Sequence, residues 1–243
     1  MEVRPSAAEV VVCAMARQIS GGDVVATGAA SALAILAIAV AKATHARGLT
    51  YLSCIGALDP QVARLRGSSE DPAYLEGRCA TFTIPDLFDH ARRGRIDVMF
   101  FGAAEVDGTG CTNLTGTGSL LRPKVKFPGV AGAATLRRWV RRPVLVVGRQ
   151  SRRNLVERVQ IASTSDPSRR TPLITDLGVF ELCPDGATLL ARHPGAELDA
   201  IRERTGFAFK AARPLTLTAE PTREHLRAIH SIDPEGIRNQ LVG

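Results

Sequence analysis

A cysteine stands where a buried strand gives way to a glycine turn, in the stretch TYLSCIGALDP at residues 50–60. A thiol at the end of a strand can act as a nucleophile or a proton donor. It can equally be a small buried side chain, since free cysteine is among the most buried residue types. The local pattern favours packing over nucleophilic chemistry for Cys54, and this residue is still the first candidate for a catalytic group.

A run of small residues follows the most apolar strand of the chain, in the stretch FGAAEVDGTGCTN at residues 101–113. Gly102, Ala103 and Ala104 come directly after the strand, where small side chains let a ligand approach the backbone. Backbone N–H groups at such a place can cradle a phosphate or stabilise an oxyanion. Gly110 and Asn113 are secondary candidates in the same run. The alternative explanation is purely structural: a tight turn in this run would require glycine, which adopts positive φ readily.

A second block of small residues, KFPGVAGAA at residues 126–134, places Gly129 and Gly132 ahead of a helix predicted to begin near Ala133. Lys124 and Lys126 lie at or just before this block. A helix start beside cations is suited to binding an anion, and an ordinary loop-to-helix junction has the same pattern.

Several common catalytic and binding motifs are absent from the sequence. It contains no GxGxxG, Walker, HExxH or GxSxG motif. The five cysteines include no CxxC pair, and the five histidines form no metal-binding set. The sequence therefore predicts no metal site, and chemistry without a cofactor.

Two strand–turn–helix units are predicted to position Cys54. Residues 23–26 form a short strand that turns into an alanine-rich helix reaching about residue 45, and residues 51–54 form the next strand. Such a succession indicates an α/β fold with a mostly parallel sheet flanked by helices. Residues 29–41 are strongly apolar, but Lys42 ends them well short of the roughly 20 residues of a membrane span, so they predict a buried helix.

The rest of the chain is predicted to extend this sheet. Strands are expected at residues 96–101, 144–147 and 158–162, paired strands at 173–176 and 179–182, a strand at 188–191 after a hairpin turn, and helices at 86–93 and 197–204. Residues 56–80 are expected to form a long surface loop. We predict one domain over residues 1–210 and a tail over residues 211–243 that packs on the domain or on a partner.

Charge and cysteine usage limit the partners and the compartment. The net charge of +7 comes mostly from arginine, with clusters at residues 137–142 and 149–153. Such clusters suit nucleic acid, an acidic partner or the phosphates of a coenzyme A thioester. Nucleic acid is disfavoured because no helix-turn-helix or zinc-finger spacing accompanies the clusters. The unpaired cysteines and the absence of a signal-peptide pattern predict a cytoplasmic protein.

Four blocks taken together resemble the β-type subunit of class I CoA-transferases, above all glutaconate CoA-transferase. Besides the block at residues 96–113 and the helix start at 126–136, these are LITDLGVFEL at residues 173–182 and ARHPGAELDAIRERTGFAF at residues 191–209. The combination of TDLGVF with HPG and TGF is specific. The stretch at residues 50–60 extends the match upstream.

This resemblance implies a CoA-transferase fold of the NagB/RpiA-like kind and an α-type partner subunit in a heterodimer or heterotetramer. It also implies an acyl-CoA substrate, with CoA or oxyanion contacts from the turns at residues 102–104 and 129–133. The family's nucleophilic glutamate matches Cys54 within one residue, and no acid stands nearby in the sequence before Asp59. The usual transfer chemistry is therefore not expected.

With a cysteine at this position, the chain resembles one branch of the family. These are the two-subunit decarboxylases that convert 3-methylglutaconyl-CoA to 3-methylcrotonyl-CoA in isovaleryl-CoA biosynthesis. The resemblance implies a B subunit of such an enzyme, with no cofactor beyond the coenzyme A of the substrate. Two alternatives stay open: a CoA-transferase or acyl-CoA hydrolase whose acid lies on the partner, and a noncatalytic acyl-CoA-binding subunit.

Overall fold

The computed structural model describes residues 4–166 and 168–243, which divide into two compact units. The first unit contains residues up to 100 together with residues 139–143 and 219–243. The second contains residues 101–138 and 144–218. The predicted boundary at residue 210 lies inside a strand, and most of the predicted tail belongs to the first unit.

The sheet of the first unit places Cys54 at the end of a central strand. Its strands are β1 Val24–Ala26, β2 Thr50–Ser53, β3 Ala57–Leu58, β4 Ala80–Thr81 and β5 Val98–Gly102, which begins in this unit. They are ordered β5-β1-β2-β3-β4. Strand β1 pairs in parallel with both β2 and β5, while β3 and β4 add antiparallel strands at the edge. The predicted parallel pairing of the first strands is confirmed.

Helices cover this sheet. They are α1 Ala7–Ala16, α2 Ala32–Ala43, α3 Ile84–Arg92, α6 Arg223–Ile232 and α7 Arg238–Leu241, with a 3-10 helix at Pro72–Leu75. A capping box between Ser6 and Glu9 begins α1. Helix α2 is the apolar run of the sequence and is buried along most of its length, as predicted. No helix among the described residues has the length and apolarity to cross a membrane.

A buried ion network joins the C-terminal helices to α1. Glu9 accepts from Arg238 Nη2 at 2.9 Å and contacts His230 Nε2 at 2.6 Å, and Arg238 also pairs with Asp233 at 3.0 Å. Arg238, Asp233 and Glu9 are all buried. Because an unpaired buried charge is costly, the network fixes residues 219–243 to the first unit.

Five larger strands of the sheet lie wholly or mostly in the second unit. They are ordered β14-β13-β12-β11-β10, with bounds β10 Arg142–Val147, β11 Thr171–Thr175, β12 Gly178–Cys183, β13 Gly186–Arg192 and β14 Phe209–Leu217. Pairing is parallel for β10–β11 and β13–β14 and antiparallel for β11–β12 and β12–β13. The predicted hairpin at residues 184–186 connects β12 to β13.

Smaller elements of the second unit carry the predicted small-residue blocks. They are the hairpin strands β6 Glu105–Val106 and β7 Thr112–Asn113, the hairpin strands β8 Gly116–Gly118 and β9 Pro123–Lys126, and the helices α4 Ala133–Trp139 and α5 Leu198–Glu203. The prediction of a strand at residues 158–162 is wrong, because this segment is irregular. The N–H of Val159 is donated to the carboxylate of Asp107 at 3.3 Å rather than to a neighbouring strand.

Gly56 holds the turn that follows Cys54, and its replacement tests that turn. Gly56 has φ +90°, and an added Cβ would lie 2.5 Å from the carbonyl oxygen of Phe82. We expect Gly56→Ala to lower the free energy of unfolding by about 2 kcal/mol or more, since a left-handed backbone and a steric clash both oppose it. Urea unfolding of the purified chain measures this.

Gly67→Ala is the matched control, because a Cβ at Gly67 meets nothing within 4 Å. Equal stability of the two variants would show that the turn does not depend on Gly56.

Candidate functional site

Cys54 begins the turn that follows β2 and is half-buried. The parallel register pairs Ala26 with Leu52, so the first residue after β1 lies beside the end of β2. That residue is Thr27, whose hydroxyl accepts the N–H of Cys54 at 3.4 Å and hydrogen-bonds the hydroxyl of Tyr51 at 2.9 Å. Both threonine and tyrosine are buried, so the backbone of Cys54 is held from the sheet side.

The thiol of Cys54 faces a carboxylate. Its Sγ lies 3.7 Å from the carbonyl oxygen of Ser69 and 3.9 Å from Oε1 of Glu70. Desolvation by burial raises the pKa of Cys54, and the negative charge of Glu70 raises it further. Cys54 is therefore a neutral thiol at neutral pH, with its S–H available as a donor, rather than a thiolate nucleophile.

Two serine hydroxyls hold Glu70. Ser69 Oγ donates to Glu70 Oε1 at 2.8 Å, and Ser68 Oγ donates to Oε2 at 3.0 Å. Although desolvation acts to raise the pKa of Glu70, these hydroxyls and the backbone N–H of Ala30 keep it below its usual range. Glu70 is thus an ionised carboxylate fixed beside the thiol.

Sequence reasoning missed Glu70, because it lies 16 residues after Cys54 within the predicted surface loop. The signal was the pair of serines directly before a glutamate in a long loop, since such loops often carry function. Ala30, which contributes its N–H, has φ +52° in the turn between β1 and α2. A positive φ is uncommon for a residue other than glycine, and strained backbone of this kind clusters at active sites and ligand-binding turns.

Gly102, Ala103 and Ala104 lie in the second unit, where β5 ends and β6 begins. Gly102 is exposed, and a Cβ there would meet nothing within 4 Å. The N–H of Ala104 is donated to the carbonyl oxygen of Asn113 at 3.2 Å. This N–H is already used within the protein, so Gly102 and Ala103 are the members of the turn to consider for ligand contacts.

Gly110 and Asn113 have clear structural roles in the β6–β7 hairpin. Gly110 has φ +83°, and its carbonyl accepts from Nη2 of Arg137 at 2.6 Å. Asn113 is buried and donates to Glu105 Oε2 at 2.7 Å and to the carbonyl of Gly116 at 2.8 Å. These contacts stabilise the hairpin that follows the candidate turn.

Gly129, Gly132 and Ala133 form the turn before α4. Gly129 has φ +104° and donates its N–H to the carbonyl of Leu114 at 2.8 Å. The carbonyl of Gly132 accepts from the N–H of Leu136, and Ala133 opens the helix. Helix α4 has only seven residues, so the turn rather than a long helix dipole would have to bind an anion.

Much of the arginine cluster at residues 137–142 is engaged within the protein. Arg137 is only 1% exposed and contacts Gly110 and Thr112. Arg141 pairs with Asp97 at 3.1 Å, and Arg142 pairs with Asp23 at 2.5 Å. Over residues 4–166 and 168–243, no group of three potential ligands is arranged to hold a metal ion.

Comparison with known proteins supports one family. The Coenzyme A transferase family model matches residues 9–204. The B subunit of 3-oxoadipate CoA-transferase from Pseudomonas knackmussii is 32% identical over 158 residues, which cover 58% of this chain and 60% of that protein. The chain thus spans less than two thirds of this curated relative.

Solved structures extend the comparison over nearly the whole chain. The decarboxylase AibA/AibB is 64% identical, with a TM-score of 0.97 over 98% of this chain and 99% of the matched chain. Glutaconate coenzyme A-transferase from Acidaminococcus fermentans has a TM-score of 0.82 at 20% identity, covering 95% and 96% of the two chains, which confirms the predicted fold.

Four variants of AibA/AibB, with one cysteine replaced by valine, alanine, serine or asparagine, have also been solved. Each has a TM-score of 0.96 and 63% identity to this chain, over the same coverage. The overall fold tolerates all four replacements.

The charge of Glu70 can be tested through the reactivity of Cys54. The carboxylate raises the pKa of the thiol, so Glu70→Gln should lower that pKa and bring the rise in alkylation rate to lower pH. Iodoacetamide labelling of the native chain across a pH series, resolved by peptide mass spectrometry, measures the thiolate of Cys54.

Glu76→Gln removes one negative charge from an exposed position and serves as the control. The exposed thiol of Cys79 is an internal reference in the same samples. An unshifted Cys54 profile in Glu70→Gln would contradict the proximity of the two groups.

Proposed function

Because this chain belongs to the Coenzyme A transferase family, we propose that it is the B subunit of a two-subunit decarboxylase acting on a glutaconyl-CoA-type thioester. The match that carries this proposal is the 64% identity to the decarboxylase AibA/AibB over 98% of the chain. The name of that enzyme joins two components, and the curated relative is itself one subunit of a transferase. An A subunit is therefore the proposed partner.

The proposed reaction converts 3-methylglutaconyl-CoA to 3-methylcrotonyl-CoA, which would serve isovaleryl-CoA formation. The departing carboxylate is vinylogous to the thioester carbonyl, so loss of CO2 leaves a dienolate whose charge collects on the thioester oxygen. A proton then adds to the carbon that carried the carboxylate. Donors aimed at the oxygen lower the barrier, and each is typically worth about 100- to 1,000-fold in rate. No cofactor beyond substrate coenzyme A is required.

Gly102 and Ala103 are the proposed backbone contacts for the thioester or coenzyme A, and the turn at residues 129–133 is proposed to shape the coenzyme A site. This assignment rests on the family resemblance of the two blocks. It is supported by the exposure of Gly102 and of Gly129, where an added Cβ would meet nothing within 4 Å, so both turns have room for a ligand.

The neutral thiol of Cys54 supports a role in packing against the substrate rather than in bond formation. A thiolate beside Glu70 is disfavoured, and decarboxylation needs no covalent intermediate. A glutamate at this position would add a second negative charge to that of Glu70 near the substrate carboxylate. Cysteine adds no charge and fills the space with a neutral side chain.

Substitutions of Cys54 should separate these roles. We expect Cys54→Ser and Cys54→Ala to retain decarboxylation within about tenfold, whereas loss of an essential proton donor would cost about 100- to 10,000-fold. Cys54→Glu should raise KM and so lower CO2 release at subsaturating substrate, because the added negative charge repels the substrate carboxylate in the bound state. CO2 release by the complex with the A subunit measures this; Cys54→Gln controls for side-chain size.

A CoA-transferase is the second candidate, and the observation that favours it is Glu70. Its ionised carboxylate lies 3.9 Å from Sγ of Cys54, the residue that the resemblance matches to the family's nucleophilic glutamate. Incubating the complex with 3-methylglutaconyl-CoA, with and without acetate, discriminates the two functions. CO2 release independent of acetate supports the decarboxylase. Acetyl-CoA formation that is lost in Glu70→Gln would support the transferase, and tight binding without turnover would support a noncatalytic subunit.

The isolated chain should be inactive, because the A subunit is proposed to complete the site. Separate assays of this chain, of its partner and of the mixture measure this. Decarboxylation by this chain without the partner would contradict the two-subunit proposal.

A further inference from the structure

The β8–β9 hairpin presents an apolar tip to solvent. Its strands form a separate two-stranded sheet, and all residues from 119 to 126 are exposed. Leu121 is 92% exposed, Leu120 67% and Val125 53%. These are the most exposed large apolar side chains of the second unit apart from Leu217 at 55%. Single exposed apolar residues are common on proteins, but a contiguous group of them marks an interaction surface.

The base of this hairpin is anchored, so the tip is held in place. Gly118 donates its N–H to Gln160 Oε1 at 2.7 Å, and the hydroxyls of Thr115 and Ser163 are 2.7 Å apart. Phe127 donates its N–H to the carbonyl of Thr115 at 3.1 Å. An isolated two-stranded hairpin is marginally stable in water, and these contacts give the exposed arm a fixed origin.

Positive charge surrounds the apolar tip. Arg122, Lys124 and Lys126 lie on the hairpin, and the sequence has no Asp or Glu between Asp107 and Glu157. A protein groove that receives this tip would therefore have an apolar floor and an acidic rim. Charge complementarity of this kind sets orientation and association rate.

We propose that the hairpin, residues 115–127, is the docking arm by which this chain engages its A subunit; this inference rests on the two-subunit function proposed above. The hairpin runs directly into the turn at residues 129–133, and the N–H of Gly129 bonds to Leu114 at the hairpin base. A partner seated on the arm would thus lie beside the turn assigned to the coenzyme A site. Docking and completion of the site would be one event.

The test is a titration of this chain with purified A subunit, read by binding and by activity. The double variant Leu120→Ser, Leu121→Ser should raise the dissociation constant for the A subunit by at least about tenfold, since central apolar anchors carry most of the binding energy. Its decarboxylation rate at saturating A subunit should equal that of wild type, because the tip is assigned no part in catalysis. The thermal midpoint of the isolated chain should not change, since both leucines are exposed.

Leu217→Ser is the matched control, since it removes a leucine that is 55% exposed in the same unit but far along the chain on β14. It should leave the dissociation constant unchanged. Charge reversal by Lys124→Glu and Lys126→Glu should slow association and reduce its dependence on salt, because rim charges act on the association rate.

Several outcomes would overturn the docking arm. The first is an unchanged dissociation constant for the A subunit in the folded leucine variant. The second is that the leucine substitutions abolish self-association of this chain and leave A-subunit binding intact. The third is that the isolated chain binds phosphatidylserine vesicles through the same leucines. Failure of the wild-type chain to bind the A subunit would overturn the two-subunit function together with the arm. A complex that forms through the leucines but releases no CO2 would overturn the decarboxylase and leave the arm supported.

Discussion

The parallel pairing of β1 with β2 is the constraint on which the candidate site depends. It brings the ends of two strands together, so that Thr27 lies beside Cys54 although 27 residues separate them. The Thr27 hydroxyl then links Tyr51 to the backbone of the turn. Gly56 completes that turn with a backbone conformation that favours glycine. In parallel α/β sheets, ligands bind at this edge because the strand ends leave backbone groups and loops around a cleft.

Electrostatics at this edge keeps a neutral thiol next to an ionised carboxylate. Cys54 stays protonated because it is partly desolvated and faces Glu70. Glu70 stays ionised because Ser68, Ser69 and Ala30 donate to it. The negative charge beside the end of β2 is therefore carried by a loop residue, and the side chain at the strand end itself is uncharged.

The second unit shows how buried polar contacts shape loops that look featureless in sequence. Arg137, one member of the arginine cluster at residues 137–142, is buried and donates to the carbonyl of Gly110 and the hydroxyl of Thr112. Asn113 similarly ties Glu105 to Gly116. The small-residue blocks thus owe part of their composition to packing, while the exposed hairpin between them remains open to a partner.

The sequence by itself determined the α/β class, the parallel order of the first strands, the buried helix α2 and the position of Cys54 at the end of a strand. These features follow from local apolar periodicity and from motif spacing, both of which depend on residues close together in the chain. Tertiary structure alone decided that Glu70 faces Cys54, that Arg137 is buried, and that residues 158–162 are irregular. Each of these depends on contacts between residues far apart in the chain, where a hydrogen bond or an ion pair overrides local propensity. The thiol at the strand end could be read from sequence, but the charge beside it could not.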